Sequence, residues 1–290
     1  MKNKIESFLS TLDRSPNTIR TYRNALNVFT YTVGKNADLT VENFTAFLAS
    51  IKHLKTTTKN LYKTAVIRFY TFHKAADYNE LKEISHHYIK KIGITLPDFN
   101  EELIEKLITH CLTLRGDLIS LRDKAFVLAC ADGGLRIFEA SKLKRGQIDW
   151  EHRFALITGK GDKMARVKFK PRAIAAMKAY LSARDKVLES NQLMSDQPLF
   201  ARHDKMASKK LLPVSDSGTG MREAIKMRME EAGILRDKVR IHDFRHLFIT
   251  KHYRLEKDIL KTRNAARQAS VVTTQRYTHL QDERDEFYEE

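Results

Sequence analysis

Ile241-His242-Asp243-Phe244-Arg245-His246 lies near the end of this 290-residue chain and reads as the start of a helix, expected from about Asp243 to Tyr253. His242 and Arg245 are three residues apart, so a helix projects them from one face. Further on, Thr273-Thr274-Gln275-Arg276-Tyr277-Thr278-His279 places Tyr277 in a polar stretch with no core pattern around it. Arginine offers a planar fork for two phosphate oxygens. Histidine moves a proton near neutral pH, and tyrosine can serve as a covalent nucleophile. Together they are the equipment for attacking a phosphodiester with a side chain.

Two upstream segments extend the set. Gly134-Leu135-Arg136-Ile137-Phe138-Glu139 supplies a second arginine, and Thr158-Gly159-Lys160-Gly161-Asp162-Lys163 a lysine in a turn. The turn is not a phosphate loop, because the rest of that motif is missing. With these segments in this order, the chain resembles the tyrosine recombinases (the phage-integrase and Xer-type family) over nearly its whole length. Arg136 stands where that family has its first arginine, Lys160 matches its hairpin lysine, and His242-x-x-Arg245 its H-x-x-R box. Tyr277 matches its nucleophile. One position departs. A Leu-Gly-His segment of the family usually puts histidine nine residues before the tyrosine, whereas this chain reads Ala266-Arg267-Gln268. Gln268 can donate a hydrogen bond but carries no charge and cannot transfer a proton.

The resemblance implies a site-specific recombinase that cuts and rejoins duplex DNA through a 3′-phosphotyrosine intermediate and a Holliday junction, without metal or nucleotide cofactor. It implies a homotetramer on paired recombination sites, serving integration, excision or chromosome-dimer resolution. Two alternatives are a catalytically impaired DNA-binding relative, with Gln268 as the symptom, and a type IB topoisomerase-like strand transferase. Each residue alone also has a plainer reading: Arg136 pairing with Glu139 at i+3, Lys160 in a solvated turn, His242 capping a helix. Arg245 pairing with Asp243 or Glu256, and Tyr277 packing through its ring, complete that reading. Jointly, and in this order, the catalytic reading prevails.

Composition agrees with a polyanionic partner. Formal net charge is +16, from 52 Lys and Arg against 36 Asp and Glu. Six of those acids fall in the last nine residues, so the body is more basic than the total. Such a field steers a polyanion and releases its counterions on binding. Cys111 and Cys130 lack partners at metal-ligand spacing, so zinc is not expected and both read as small core residues. No apolar run reaches the length of a membrane span, and no signal peptide is visible. A cytoplasmic protein, nucleoid-associated when on DNA, is the expectation.

The pattern along the chain is mainly α, with a small antiparallel sheet. Ser15-Pro16 marks a helix start, Thr40 caps a second helix, and a third runs from about Thr56 to Ala76 with Leu61, Ala65, Phe69 and Phe72 expected inside. Lys55, Lys59 and Lys63 repeat every four residues on that helix; Lys52 extends the row and Tyr62 flanks it. With the resemblance, residues 1–90 are expected to form a helical core-binding, DNA-binding domain with these four lysines on the DNA backbone, and no arm-binding domain is expected ahead of it. Residues 91–99 read as a linker, and Asn100 caps a fresh helix. A buried helix from Leu121 to Ala131 ends at Gly133-Gly134; Phe154–Ile157 and Ala165–Phe169 read as strands. Residues 100–290 are expected to be an α+β, mostly helical catalytic domain.

Overall fold

A computed structural model describes residues 1–89, 98–158, 164–187, 193–203, 211–214, 219–268 and 274. The chain forms two compact units, Met1–Thr95 and Leu96–Glu290. Apart from Asp98 and Phe99, the expected linker lies outside the described residues.

The first unit is helical: α1 (Lys2–Ser10), α2 (Pro16–Val33), α3 (Val41–Ser50), α4 (Thr56–Phe72) and α5 (Tyr78–Tyr88). Starts follow side-chain chemistry. The Ser15 hydroxyl accepts from the Thr18 N–H with Pro16 in the first turn, and Thr40 accepts from the Asn43 N–H. Asp77 caps α5 through the N–H groups of Asn79 and Glu80. Aromatic rings dominate the core. Phe29 meets Phe47 and Tyr70 edge-on, each at 5.7 Å between centroids, and the Tyr70 hydroxyl donates to the Thr40 carbonyl at 3.0 Å.

Two expectations for α4 are corrected. The helix stops at Phe72 rather than Ala76, because Lys74 turns into the left-handed region (φ 52°) and the Ala75 N–H reaches back to the Tyr70 carbonyl. Its buried residues are Ala65, Val66, Ile67, Phe69 and Tyr70, while Leu61 and Phe72 are exposed. The helix is therefore rotated from the expected phase by about one position, which swaps Leu61 for Val66 and Phe72 for Tyr70 inside.

The second unit contains α6 (Glu101–Thr113), α7 (Leu118–Gly133), α8 (Ile137–Ser141), β1 (Ile148–Asp149), β2 (Phe154–Thr158) and β3 (Met164–Lys168). It continues with α9 (Pro171–Asp185), α10 (Thr219–Glu231), α11 (Ile241–Glu256) and α12 (Ile259–Ala265). The strands form one antiparallel sheet in the order β1-β2-β3, with Ala155 opposite both Ile148 and Val167. α7 is the central element, buried nearly all round by α6, α9, α10 and α11. Both cysteines lie in this core. Burial pushes the Cys111 thiol up to about 12 and raises that of Cys130, so both are neutral packing groups. Among the described residues no helix is long and apolar enough to cross a membrane.

Three helices converge at the end of α7. Gly134 closes it in the left-handed conformation, at φ 57° and ψ 30°. A Cβ there would lie 2.4 Å from the Phe248 ring of α11. Gly134 thus lets α11 approach the start of α8, which carries Arg136. Gly134→Ala is expected to destabilise the protein by roughly 2–5 kcal/mol, adding left-handed strain to overpacking. Urea denaturation measures this, and an unchanged midpoint would contradict the close approach.

Candidate active site

Arg136 is the N-cap residue of α8, two positions beyond Gly134. Its backbone N–H donates to Glu139 Oε2 at 2.9 Å, and its Nη1 to Glu139 Oε1 at 2.6 Å. Glu139 sits at the third helical position, where a carboxylate reaches back to a helix start. The Glu139 side chain is nearly fully buried, whereas that of Arg136 is 32% exposed. The pairing with Glu139 foreseen as the plainer reading of Arg136 is therefore present, and it orients the guanidinium without burying it.

Burial would raise the Glu139 pKa, but the Arg136 N–H and the charges of Arg267 and Arg136 outweigh it and hold the carboxyl below its usual range. A buried anion serving two arginines is a fixed anchor for both.

Arg245 lies in the second turn of α11 and is almost wholly buried. Its Nη1 donates to the Gly134 carbonyl at 2.6 Å and its Nη2 to the Ala266 carbonyl. The described bonds thus run to two backbone carbonyls rather than to Asp243 or Glu256. They tie together the end of α7, α11 and the end of α12. Carbonyls at a helix C-terminus lack intrahelical donors and carry the negative end of the dipole, so a cation there is stabilised.

His242 stands one turn before Arg245, exposed at its outer edge, its ring edge-on to His246 with centroids 4.7 Å apart. Partial burial of the ring and the neighbouring charges of Arg245 and Arg136 lower its pKa below the ordinary 6.5, against a smaller opposing effect of Asp243. His242 and Arg136 both line a cleft of about 800 Å³, whose rim also carries Arg222, Lys226, Arg236 and Arg240. Asp237 is the one acid among the lining residues, so positive charge predominates there.

Gln268 follows α12, and its Oε1 accepts from the Thr274 hydroxyl at 2.6 Å. Its side chain is thereby linked to a buried residue three positions before Tyr277. Lys160 and Tyr277 lie outside the described residues, as does the acidic C-terminal segment. Among the described residues, no group of three or more His, Cys, Asp and Glu is arranged to hold a metal ion.

The structure therefore brings together Arg136, His242 and Arg245, with Gln268 joined through the Ala266 turn. It also adds Arg267, whose side chain reaches the Gly134 carbonyl at 2.9 Å and Glu139 Oε2 at 3.3 Å. Sequence reasoning had Glu139 only as a bland ion-pair partner and gave Arg267 no role. The R-x-x-E spacing signals the first; nothing local signals the second.

The four lysines belong to the other unit. Lys55 is the N-cap residue of α4, with Lys59 and Lys63 one and two turns on. The Lys59 Nζ donates to the Lys52 carbonyl at 3.3 Å, and the Lys52 ammonium lies 5.6 Å from the Tyr88 ring centre. Burial and the charge of Lys82 lower the Lys63 pKa.

Comparison with known proteins agrees with this architecture. The tyrosine recombinase XerH of Campylobacter jejuni is 27% identical over 82% of this chain and 66% of its own length. The tyrosine recombinase XerC of Listeria innocua is 24% identical over 97% of this chain and 93% of its own. The chain spans from 52% to 66% of the length of XerH and two other curated relatives. A XerH site-specific recombinase solved with a palindromic difH substrate, in a post-cleavage complex, shares the fold. Its TM-score is 0.74 at 23% identity, covering 93% of this chain and 78% of that one. The phage integrase family model matches residues 98–284, taking in α6 to α12, the sheet, and the whole stretch from Arg136 to Tyr277. With that match covering well over half of the sequence, the chain belongs to the phage integrase family, the tyrosine recombinases.

Proposed function

We propose that this protein is a site-specific recombinase that cleaves and reseals duplex DNA, with Tyr277 as nucleophile. The observation that carries this reading is that Arg136 and His242 line one basic cleft with the buried Arg245 beside His242, while Glu139 and the Gly134 carbonyl hold the two arginines. Family membership favours recombination over the topoisomerase-like alternative.

In the reaction, the Tyr277 phenolic oxygen bonds to phosphorus as the bond from phosphorus to the 5′ oxygen breaks, leaving a 3′-phosphotyrosine. His242 accepts the phenolic proton, and Lys160 protonates the departing 5′ oxygen. Charge accumulates on the non-bridging oxygens, where Arg136 and Arg245 neutralise it and Gln268 adds a neutral hydrogen bond. One phosphoester replaces another, so resealing needs no external energy source. The reverse attack by a 5′ hydroxyl from a second duplex exchanges strands, in a homotetramer on paired sites.

A suicide duplex tests this, made from DNA flanking the protein's own gene and nicked near the cleavage position. Trapping a denaturation-resistant protein–DNA adduct is the expected result. No adduct on any duplex that the protein binds would leave the impaired DNA-binding relative as the answer.

His242 gives the reaction a pH signature. Its lowered pKa keeps the ring neutral at pH 7, so the base is present and is lost only as pH falls through that pKa. The acid limb of the cleavage rate should lie below pH 6.5 and disappear in His242→Gln. A limb above that value would contradict the assignment.

Residues 1–90 are proposed as the core-binding domain, with Lys52, Lys55, Lys59 and Lys63 against the DNA backbone. Replacing Lys59 and Lys63 with alanine should weaken binding to all sequences alike. Each loss should reduce the slope of log affinity against log salt by about 0.9. An unchanged slope would place these lysines away from the phosphates.

A further inference from the structure

Arg267 occupies a backbone position suited to glycine. α12 closes with the Arg267 N–H donating to the Asn264 carbonyl and the Gln268 N–H to the Arg263 carbonyl, both at 3.0 Å. That pair of bonds is a Schellman ending, whose turning residue is most often glycine because a Cβ is strained there. Arg267 is that residue, at φ 54°.

An arginine tolerated here merely as surface would extend into water. Instead its side chain is 9% exposed. Nη1 donates to the Gly133 carbonyl at 3.3 Å and to that of Ala265 at 3.2 Å. Nη2 donates to the Gly134 carbonyl at 2.9 Å and to Glu139 Oε2 at 3.3 Å. Nε is buried without a hydrogen-bond partner among the described residues. A buried guanidinium is costly unless paired, and a residue held in an unfavoured conformation persists where its surroundings impose it. Its partners are informative. Glu139 is the carboxylate that orients Arg136, and the Gly134 carbonyl is the group that holds Arg245.

We propose that Arg267 is a positioning residue for strand cleavage: through Glu139 and the Gly134 carbonyl it couples the Gln268 segment to Arg136 and Arg245. This deepens the recombinase reading and rests on it. In that reading, a tilt of Arg136 or Arg245 away from phosphorus slows chemistry without weakening DNA binding, since most binding charge lies elsewhere. Glycine satisfies the turn but removes the link. Lysine keeps the charge but loses the fork that reaches a carboxylate and two carbonyls at once.

The test is the rate of adduct formation at saturating nicked duplex by the full chain, comparing wild type, Arg267→Gly, Arg267→Lys, Glu139→Gln and the Arg267→Gly/Glu139→Gln double variant. Arg267→Gly should bind duplex as wild type does and form adduct roughly tenfold more slowly. Millimolar guanidinium should restore part of that rate, and the double variant should be little slower than Glu139→Gln alone. Arg267→Lys should fall between and gain nothing from guanidinium; it carries the test if the glycine variant does not fold. A wild-type rate in Arg267→Gly overturns the proposal. So does a loss that follows the folded fraction, or one that guanidinium leaves unrepaired and that multiplies in full with Glu139→Gln. Absence of adduct from the wild type would instead remove the recombinase reading, and this proposal with it.

Discussion

Replacing Tyr277 with phenylalanine is expected to abolish covalent attachment to DNA while leaving duplex binding nearly unchanged. The substitution removes one oxygen and keeps the ring. Loss of a nucleophile that acts as one unit with its acid–base partners lowers the rate by roughly 10⁴-fold or more. The measurement is single-turnover adduct formation on a nicked duplex, with affinity determined in parallel. An adduct persisting in Tyr277→Phe would place the nucleophile elsewhere and leave Tyr277 the plainer role of packing its ring.

The second large effect belongs to Arg245. Arg245→Ala is expected to slow cleavage by roughly 10²- to 10³-fold, the loss typical of one transition-state donor. It should also destabilise the fold, because the Ala266 carbonyl loses its Arg245 donor in a buried setting and the Gly134 carbonyl is left with Arg267 alone. Each such group left unsatisfied costs about 1–3 kcal/mol. The two effects separate experimentally: the rate is read at saturating DNA on folded protein, and stability from denaturant unfolding. A wild-type rate on folded protein would remove Arg245 from the chemistry and leave it a structural clamp.

Much of the fold was legible because its signals are local. Ser15-Pro16, Thr40 and Asn100 mark helix starts by side-chain bonds to nearby N–H groups, and each helix begins there. Gly133-Gly134 ends α7 as read, since only a left-handed residue closes that turn comfortably. What escaped lacked either such a cap or a clear apolar face; α5 has the Asp77 cap but not the face. α1 has no side-chain cap bond, and α5 buries only Leu81 and Ser85, its last turn carrying His86 and His87. β1 is two residues long, too short for any alternation to show. The α4 face was misjudged because Leu61 and Val66 are alike apolar and Phe72 is more so than Tyr70; packing against the aromatic core, and the Thr40 carbonyl that accepts from the Tyr70 hydroxyl, decide between them.

The site shows the same division. Arg136, His242 and Arg245 were legible from residue type, order and spacing; α8 and α11 bring Arg136 and His242 to one cleft, with Arg245 buried beside His242. Glu139 was visible only as an i+3 partner, because whether such a pair is solvated or buried depends on how α8 packs. Arg267 was invisible. Its direction follows from a left-handed turn at the end of α12, and sequence gives no sign that an arginine, rather than glycine, bears that conformation.

The central claim is that strand cleavage passes through Tyr277 on the site built around Arg136, His242 and Arg245. Its most direct test is to trap wild-type protein on a nicked duplex, digest the adduct with protease and nuclease, and sequence the nucleotide-bearing peptide by mass spectrometry. The account predicts a 3′-phosphate linked to Tyr277. A phosphate on any other residue, or a 5′ linkage, would contradict it.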